Sequence, residues 1–323
     1  MLRFSRCLKP PKYQPLSWHR GLATSGDLSA EVGVRDPNAY CSDLIRKRDY
    51  EAYLVSHFWP REIRAHYIAL RAFYVELASV QEAVSNPTIG RMRMQFWRDA
   101  IKGISDGRPP RHPIALAVHD ACRHADIPTY HLKRIVDARV SGCSVLHTPT
   151  HLTVDSLTAH AESTASTFLY LLLSLLNLSA SSTLSHAASH LGVAHGVTTL
   201  LRALPYHASQ GRMVIPAEIT ARHGVNHEEV FRKGGHAKGV EDAVFDFATV
   251  ANDNLLTCVE MFKHGGDAVV PGKARPAFLS GVPTRLYLER LEGVNFDAFH
   301  PSLQVRDWKL PWRIWRSYYK GGL

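Results

Sequence analysis

The chain lacks several features that would settle its class at once. Its five cysteines, Cys7, Cys41, Cys122, Cys143 and Cys258, include no CxxC pair. Without one, a zinc ribbon or a disulfide framework is not expected, and a reducing compartment fits. The most apolar run, Phe168–Leu178, is eleven residues long and carries Ser174 and Asn177. A membrane span needs about 20, so the run reads as a buried helix. Strict two-residue alternation is nearly absent, which argues against a sheet protein. No internal repeat, low-complexity tract or HExxH motif occurs. Charged residues make up 21% and hydrophobic ones 45% of 323 residues, which excludes a largely disordered chain.

Acid is also missing from one place. The net charge is +9, yet residues 1–26 hold Arg3, Arg6, Lys9, Lys12 and Arg20 and no acid before Asp27. More than half of the basic excess therefore sits in the first segment, and nucleic-acid binding by the body is not expected. The basic residues alternate with Leu2, Phe4, Leu8, Leu16 and Trp18 and give way to small and hydroxyl residues. Residues 1–30 are therefore expected to be a mitochondrial transit peptide, cleaved near residues 21–30.

What is present is helical periodicity. Ile63, Tyr67, Leu70, Tyr74, Leu77 and Val84 form one stripe, and Val240, Val244, Phe247, Ala251, Leu255, Cys258 and Phe262 form another. Helices are also expected over 88–104, 112–125, 128–141, 155–178 and 184–204. Asn226 with Glu229 suggests a capping box. The breaks, at Gly107–Pro110, Pro149, Gly265–Gly266 and Pro271–Gly272, are short. The expectation is an all-α, single domain over residues 35–300, followed by a distinct tail, 301–323.

Two blocks carry a resemblance. One is YEAYLVSHFWPREIRAHYIALRAFYVELASVQE, Tyr50–Glu82; the other is GVAHGVTTLLRALPYHASQGRMVIP, Gly192–Pro216. Together they resemble the squalene/phytoene synthase family, which implies an isoprenoid-synthase-like helical fold around a central cavity. In that family, paired aspartates hold Mg²⁺, which neutralises a departing diphosphate. Matching the motifs places the first acidic pair on Ala78 and Glu82 and the second on Ala203 and His207. The diphosphate-contacting stretch falls on Arg48-Asp-Tyr-Glu51. Three of the four ligand positions are thus not carboxylates, so no metal, cofactor or catalytic residue is expected.

A closer resemblance covers residues 46–303. Its blocks are Arg46-Lys-Arg-Asp-Tyr-Glu51, Leu70-Arg-Ala-Phe73, Val75-Glu-Leu-Ala78, Thr88-Ile-Gly90, Met92-Arg-Met-Gln-Phe-Trp97, His186-Ala-Ala-Ser-His190, Leu201-Arg-Ala-Leu-Pro-Tyr-His207 and Phe299-His-Pro-Ser-Leu303. These are similar to the mitochondrial NADH:ubiquinone oxidoreductase complex assembly factor 6 family. The resemblance implies a pseudoenzyme assisting complex I assembly on the matrix side of the inner membrane, peripherally bound, with complex I subunits or other assembly factors as partners. A remnant cavity is expected around Ala78, Glu82, Arg202, Ala203, Tyr206, His207 and Arg212, with an isoprenoid or lipid as a ligand it could take. The alternatives are an altered prenyl-diphosphate transferase using Glu82, His207, Tyr206 and Arg202, or an isoprenoid-, quinone- or lipid-binding module.

Three further patterns can be weighed on their own. His186 and His190, at i and i+4 with His195 nearby, have metal-ligand spacing, although ordinary helix histidines are the plainer reading. Arg91, Arg93 and Arg98 flank Met92, Met94, Phe96 and Trp97, as in a helix with one face in the core. In the tail, Trp308, Trp312, Trp315 and Tyr319 step by four, three and four among Arg306, Lys309, Arg313, Arg316 and Lys320. That is the pattern of an interfacial helix facing a membrane; packing on the domain or on a partner protein is the alternative.

Overall fold

The computed structural model describes residues 36–83, 86–143, 151–264 and 267–322. The expected leader, 1–30, and Val84 lie outside them. The described chain is all-α apart from one two-residue ladder. Helices α1 (Pro37–Arg48), α2 (Tyr50–Ser56), α3 (Arg61–Ala83), α4 (Pro87–Ser105), α5 (Pro113–His124) and α6 (Thr129–Cys143) come first. A long rod follows: α7 (Val154–Ala161), a π-helical turn (Glu162–Ser166) and α8 (Thr167–Leu175). Then come α9 (Ser182–Ser209), α10 (Ala217–Arg222), α11 (His227–Lys233), α12 (Val240–Glu260), α13 (Arg275–Phe278), α14 (Gly281–Glu292) and α15 (Leu310–Lys320).

Two apolar clusters make the core and meet along α9. The first is built around α1, α3–α6, α8, the N-terminal half of α9 and α15. The second joins α7, the C-terminal half of α9, α10–α12 and α14. The two sequence stripes explain the long helices. On α3, Tyr67, Leu70 and Leu77 are buried with Phe73. All seven residues of the α12 stripe are buried. The helix itself stops at Glu260, and Phe262 is carried into the core by the turn before β1 (Lys263–His264), which pairs antiparallel with β2 (Asp267–Ala268).

Helix ends follow the local chemistry. Asp36, Asn86, Thr153 and Ser181 each accept an N–H at a helix start, and Pro37 and Pro87 fill first-turn positions whose N–H would be free. Asn226 caps α11 by accepting from Glu228 and Glu229. Glu229 itself pairs with Lys233 at 2.7 Å, so the capping is one-sided.

Two expectations need correction. Helix α9 does not stop at Leu204; it runs through Pro205 to Ser209. Proline costs one hydrogen bond there, and burial of Leu204 and Ala208 on the second cluster holds the turn. The segment 155–178 is not one uniform helix. Its hydroxyl-rich Glu162–Thr167 stretch widens into a π turn, where Thr164 and Thr167 donate to the carbonyls of His160 and Glu162 and Ser166 donates across to Ser189 of α9. The C-terminal segment is tied to the body. Leu310 and Ile314 are buried, Tyr318 packs on Phe58 at 5.1 Å, and Val270 donates to the carbonyl of Gly321. Gly321 has φ +76°, and a Cβ there would meet Val269 and Arg275.

Candidate functional site

The cavity lies between α2, α3, α8, α9 and α13. Its walls include Asp49, Glu51, Tyr67, Arg71, Tyr74, Phe168, Leu172, Gly192, His195 and Ser280. The space open to a water-sized sphere is about 30 Å³, room for one or two waters. The Ser280 hydroxyl is buried without a protein partner among the described residues.

An ion pair occupies what would otherwise be space. Asp49 is the hinge residue between α1 and α2. One carboxylate oxygen caps α2 by accepting from Ala52 at 3.1 Å, and the other accepts from Arg71 Nε and Nη2, each at 2.6 Å. Both side chains are largely buried. The Arg71 guanidinium lies 5.3 Å from the Tyr74 ring and 5.2 Å from the Phe168 ring, cation–π distances. Burial alone would lift the Asp49 pKa. The Arg71 charge and the bonds from Ala52 and Arg71 outweigh it and hold the carboxyl below the usual carboxylate range. Burial works against the Arg71 charge, but Asp49 raises its pKa and keeps it protonated.

His195 faces the same cavity and bonds Thr284 Oγ1 through Nδ1 at 3.2 Å. Burial, then the charge of Arg71, push its pKa down to about 3, with Asp49 opposing. His160 is pushed down to about 4, chiefly by burial and then by Arg139. Both are therefore neutral in the folded protein at neutral pH. Below pH 6.5 the unfolded chain takes up protons that these two rings refuse. Stability is thus full above pH 6.5 and falls as pH drops toward 3, by up to about 1.4 kcal/mol per pH unit for each ring. Urea midpoints at pH 7, 6 and 5 should show this, and His195→Gln should flatten the slope. An unchanged slope in the variant would remove His195 from the account.

The positions expected to border the cavity are spread more widely. Ala78 and Glu82 sit one and two turns beyond Tyr74 on α3, and the Glu82 side chain lies outside the described residues. Arg202 is at the rim, where Nη1 reaches both oxygens of Glu51 at 3.0 and 3.1 Å and the guanidinium stands 5.2 Å from the Tyr287 ring. Ala203 is half-buried and Tyr206 exposed further along α9, with Arg212 exposed beyond its end. His207 is half-buried beside Tyr206, and burial, then Arg212, lower its pKa. None of these except Arg202, through Glu51, joins the described walls. Ala78 and Ala203 offer no donor atom. Among the described residues no three His, Cys, Asp or Glu side chains converge where they could share an ion. Ala78 and Ala203 have no side-chain oxygen with which to hold Mg²⁺.

The histidine pattern resolves into separate contacts. His190 bonds Asn254 at 2.9 Å, His195 bonds Thr284, and His186 is exposed. On α4, Met94 and Trp97 are buried, Met92 and Phe96 are exposed, and Arg98 pairs with Asp137. The tail aromatics are exposed: Trp308 82%, Trp312 58%, Trp315 50% and Tyr319 63%. No helix among the described residues is long and apolar enough to cross a membrane.

This all-α architecture, with a small cavity between its helices, has the fold of the isoprenoid synthases. A dehydrosqualene synthase superposes with TM-score 0.72 over 88% of this chain and 96% of that one, at 18% identity. The squalene synthase HpnC from Alicyclobacillus acidocaldarius gives TM-score 0.69 at 16% identity over 81% of this chain and 95% of that one. The squalene/phytoene synthase family model matches residues 45–316. The chain belongs to the squalene/phytoene synthase family and, within it, to the complex I assembly factor 6 group. It is 40% identical to the Homo sapiens protein named NADH dehydrogenase (ubiquinone) complex I, assembly factor 6, over 97% of this chain and 94% of that one. The Rattus norvegicus protein of that name is 40% identical over 89% of this chain and 84% of its own. A Dictyostelium discoideum homolog is 26% identical over 88% and 79%.

Proposed function

We propose that this protein is a non-catalytic assembly factor for mitochondrial respiratory complex I, acting as a peripheral protein on the matrix side of the inner membrane. The near full-length similarity to proteins named for that role carries the reading. The site supports it physically. Where a synthase needs room for prenyl chains and carboxylates for Mg²⁺, this chain has a buried Asp49–Arg71 pair and about 30 Å³ of free space. The Ala78 and Ala203 positions supply no ligand, so the chain is a pseudoenzyme whose helical scaffold serves its partners, complex I subunits or other assembly factors. The basic, acid-free segment 1–26 supports import as a transit peptide.

The test is complex I content on native gels from mitochondria of a deletion strain. Deletion should remove most of the complex. Both the wild type and a Glu82→Ala/His207→Ala double variant should restore it. Rescue by the wild type alone, with the variant imported and folded, would show that the old site still does chemistry. Normal complex I without the gene would overturn the assembly reading itself.

A further inference from the structure

Helix α15 has two faces with opposite fates. Leu310 and Ile314, one turn apart, are buried in the first core cluster, and Arg275 holds the last turn by donating to the carbonyls of Tyr318 and Tyr319. Arg313 points to the body as well, 3.8 Å from Glu289 and 3.9 Å from Asp307. The other face carries Trp312, Trp315 and Tyr319, with Trp308 just ahead of the helix, all exposed. Trp315 and Tyr319 touch at 5.0 Å between ring centroids. Val269, also exposed, lies beside Gly321 and extends it. Pro311 falls in the first turn, where its missing N–H costs nothing.

Apart from Asp307, the charges around the stripe are basic. Arg306, Lys309, Arg316 and Lys320 make no ion pair among the described residues. Lys309 stands 5.2 Å from the Trp308 ring, Arg316 5.6 Å from the Trp312 ring and Arg306 5.0 Å from the Tyr50 ring. Asp307, just before Trp308, and Glu289 lie 3.9 and 3.8 Å from Arg313. A protein groove would read the same i, i+3, i+7 spacing, so the choice of occupant rests on the unpaired cations that ring the stripe. Here the exposed positions are ring systems with a polar edge, which favour the boundary between headgroups and acyl chains, and the cations match anionic headgroups.

The geometry points to α15 as a built-in interfacial helix that docks the protein on a bilayer carrying anionic lipid. Trp308, Trp312, Trp315 and Tyr319 enter the headgroup–acyl boundary, and Arg306, Lys309, Arg316 and Lys320 pair with the headgroups. Because the opposite face is already packed, the stripe needs no folding on contact, unlike a free amphipathic peptide. The surface stands or falls independently of the role in complex I assembly.

The full chain is tested with Trp18→Phe and with Arg3, Arg6, Lys9, Lys12 and Arg20 changed to Gln, so that the leader contributes neither fluorescence nor charge. Vesicles of phosphatidylcholine, with and without phosphatidylglycerol, carry brominated acyl chains. The expected result is quenching of tryptophan emission by the phosphatidylglycerol vesicles, much weaker with phosphatidylcholine alone. Trp312→Ala/Trp315→Ala should lower the partition coefficient roughly tenfold or more. Its unfolding midpoint should not change, since both rings are exposed. Lys309→Glu/Arg316→Glu/Lys320→Glu should abolish the preference for the anionic vesicles. Absence of quenching in the parent chain, or equal partitioning of the double tryptophan variant, overturns the proposal. Binding of the stripe to a complex I subunit without vesicle binding overturns it too, in favour of a protein partner.

Discussion

Gly192→Ala is expected to cost about 3 kcal/mol or more and to leave little soluble protein at physiological temperature. A Cβ at this position would lie 2.4 Å from both N and Cα of Ser166 and 2.3 Å from its Oγ. N and Cα are backbone atoms of the π turn, so rotating the Ser166 hydroxyl away does not relieve the clash. Helix α9 and the rod α7–α8 would have to part, breaking the bond from Ser166 Oγ to the Ser189 carbonyl, 2.8 Å long. That contact sits where the two apolar clusters meet and where the cavity has its wall. A loss of this size is a large share of the 5–15 kcal/mol that stabilises a typical domain. Gly196→Ala is the control, one turn on: its nearest neighbour is the Ala161 Cβ at 3.2 Å, a clash that a helix shift of a few tenths of an ångström relieves. Urea denaturation of both variants decides it. If Gly192→Ala unfolds at the same midpoint as Gly196→Ala, the close approach of the two helices does not limit stability.

The same glycine shows which parts of the fold the sequence could express. It opens the block Gly192–Pro216, but only the structure shows what presses on it. Periodic burial was legible: every residue of the α12 stripe is in the core, and the two faces of α15 follow from Leu310 and Ile314 against the tryptophans. Pro205 misled, because a proline stop signal is local while the burial that carries α9 past it is not. The π turn was missed because hydroxyl side chains bonding carbonyls four or five residues back leave no periodic trace.

The Asp49–Arg71 pair was the larger omission, and a signal for it existed. Arg71 lies four residues after Tyr67 and three before Tyr74, on the apolar stripe of α3, where an arginine needs a buried acceptor. Asp49 was in view as part of the run Arg48-Asp-Tyr-Glu51, but 22 residues separate it from Arg71, and no spacing rule joins the two. The expected remnant positions came from the acidic motifs of a metal-using enzyme. The residues that close this cavity lie one to three turns deeper, at Tyr67, Arg71 and Tyr74 on α3 and at Gly192 and His195 on α9.

Removing one member of that pair should therefore matter more than removing both. Arg71→Met leaves the Asp49 carboxylate buried beside Tyr67, Phe168 and Leu172 without a counter-charge. Breaking a buried pair in this way typically costs about 3–5 kcal/mol. The sign with pH is distinctive. In the wild type Asp49 has a lowered pKa, so its contribution is present above the ordinary carboxylate range and is lost on acidification. Without Arg71, burial dominates and the carboxyl pKa rises, so the variant loses stability as pH increases. His195 moves the same way, because Arg71 is one of the charges that depress its pKa. The deficit of Arg71→Met relative to wild type should be largest near pH 8 and should narrow steadily toward pH 5. Adding Asp49→Asn should recover most of it at pH 8, since an asparagine oxygen can still accept from Ala52 to cap α2 and leaves no buried charge behind. Denaturation midpoints of the wild type, the single variant and the double variant at the two pH values give the answer. A deficit that is equal at both, or that Asp49→Asn deepens, would mean that Arg71 acts through its packing on Tyr74 and Phe168 and not through its charge.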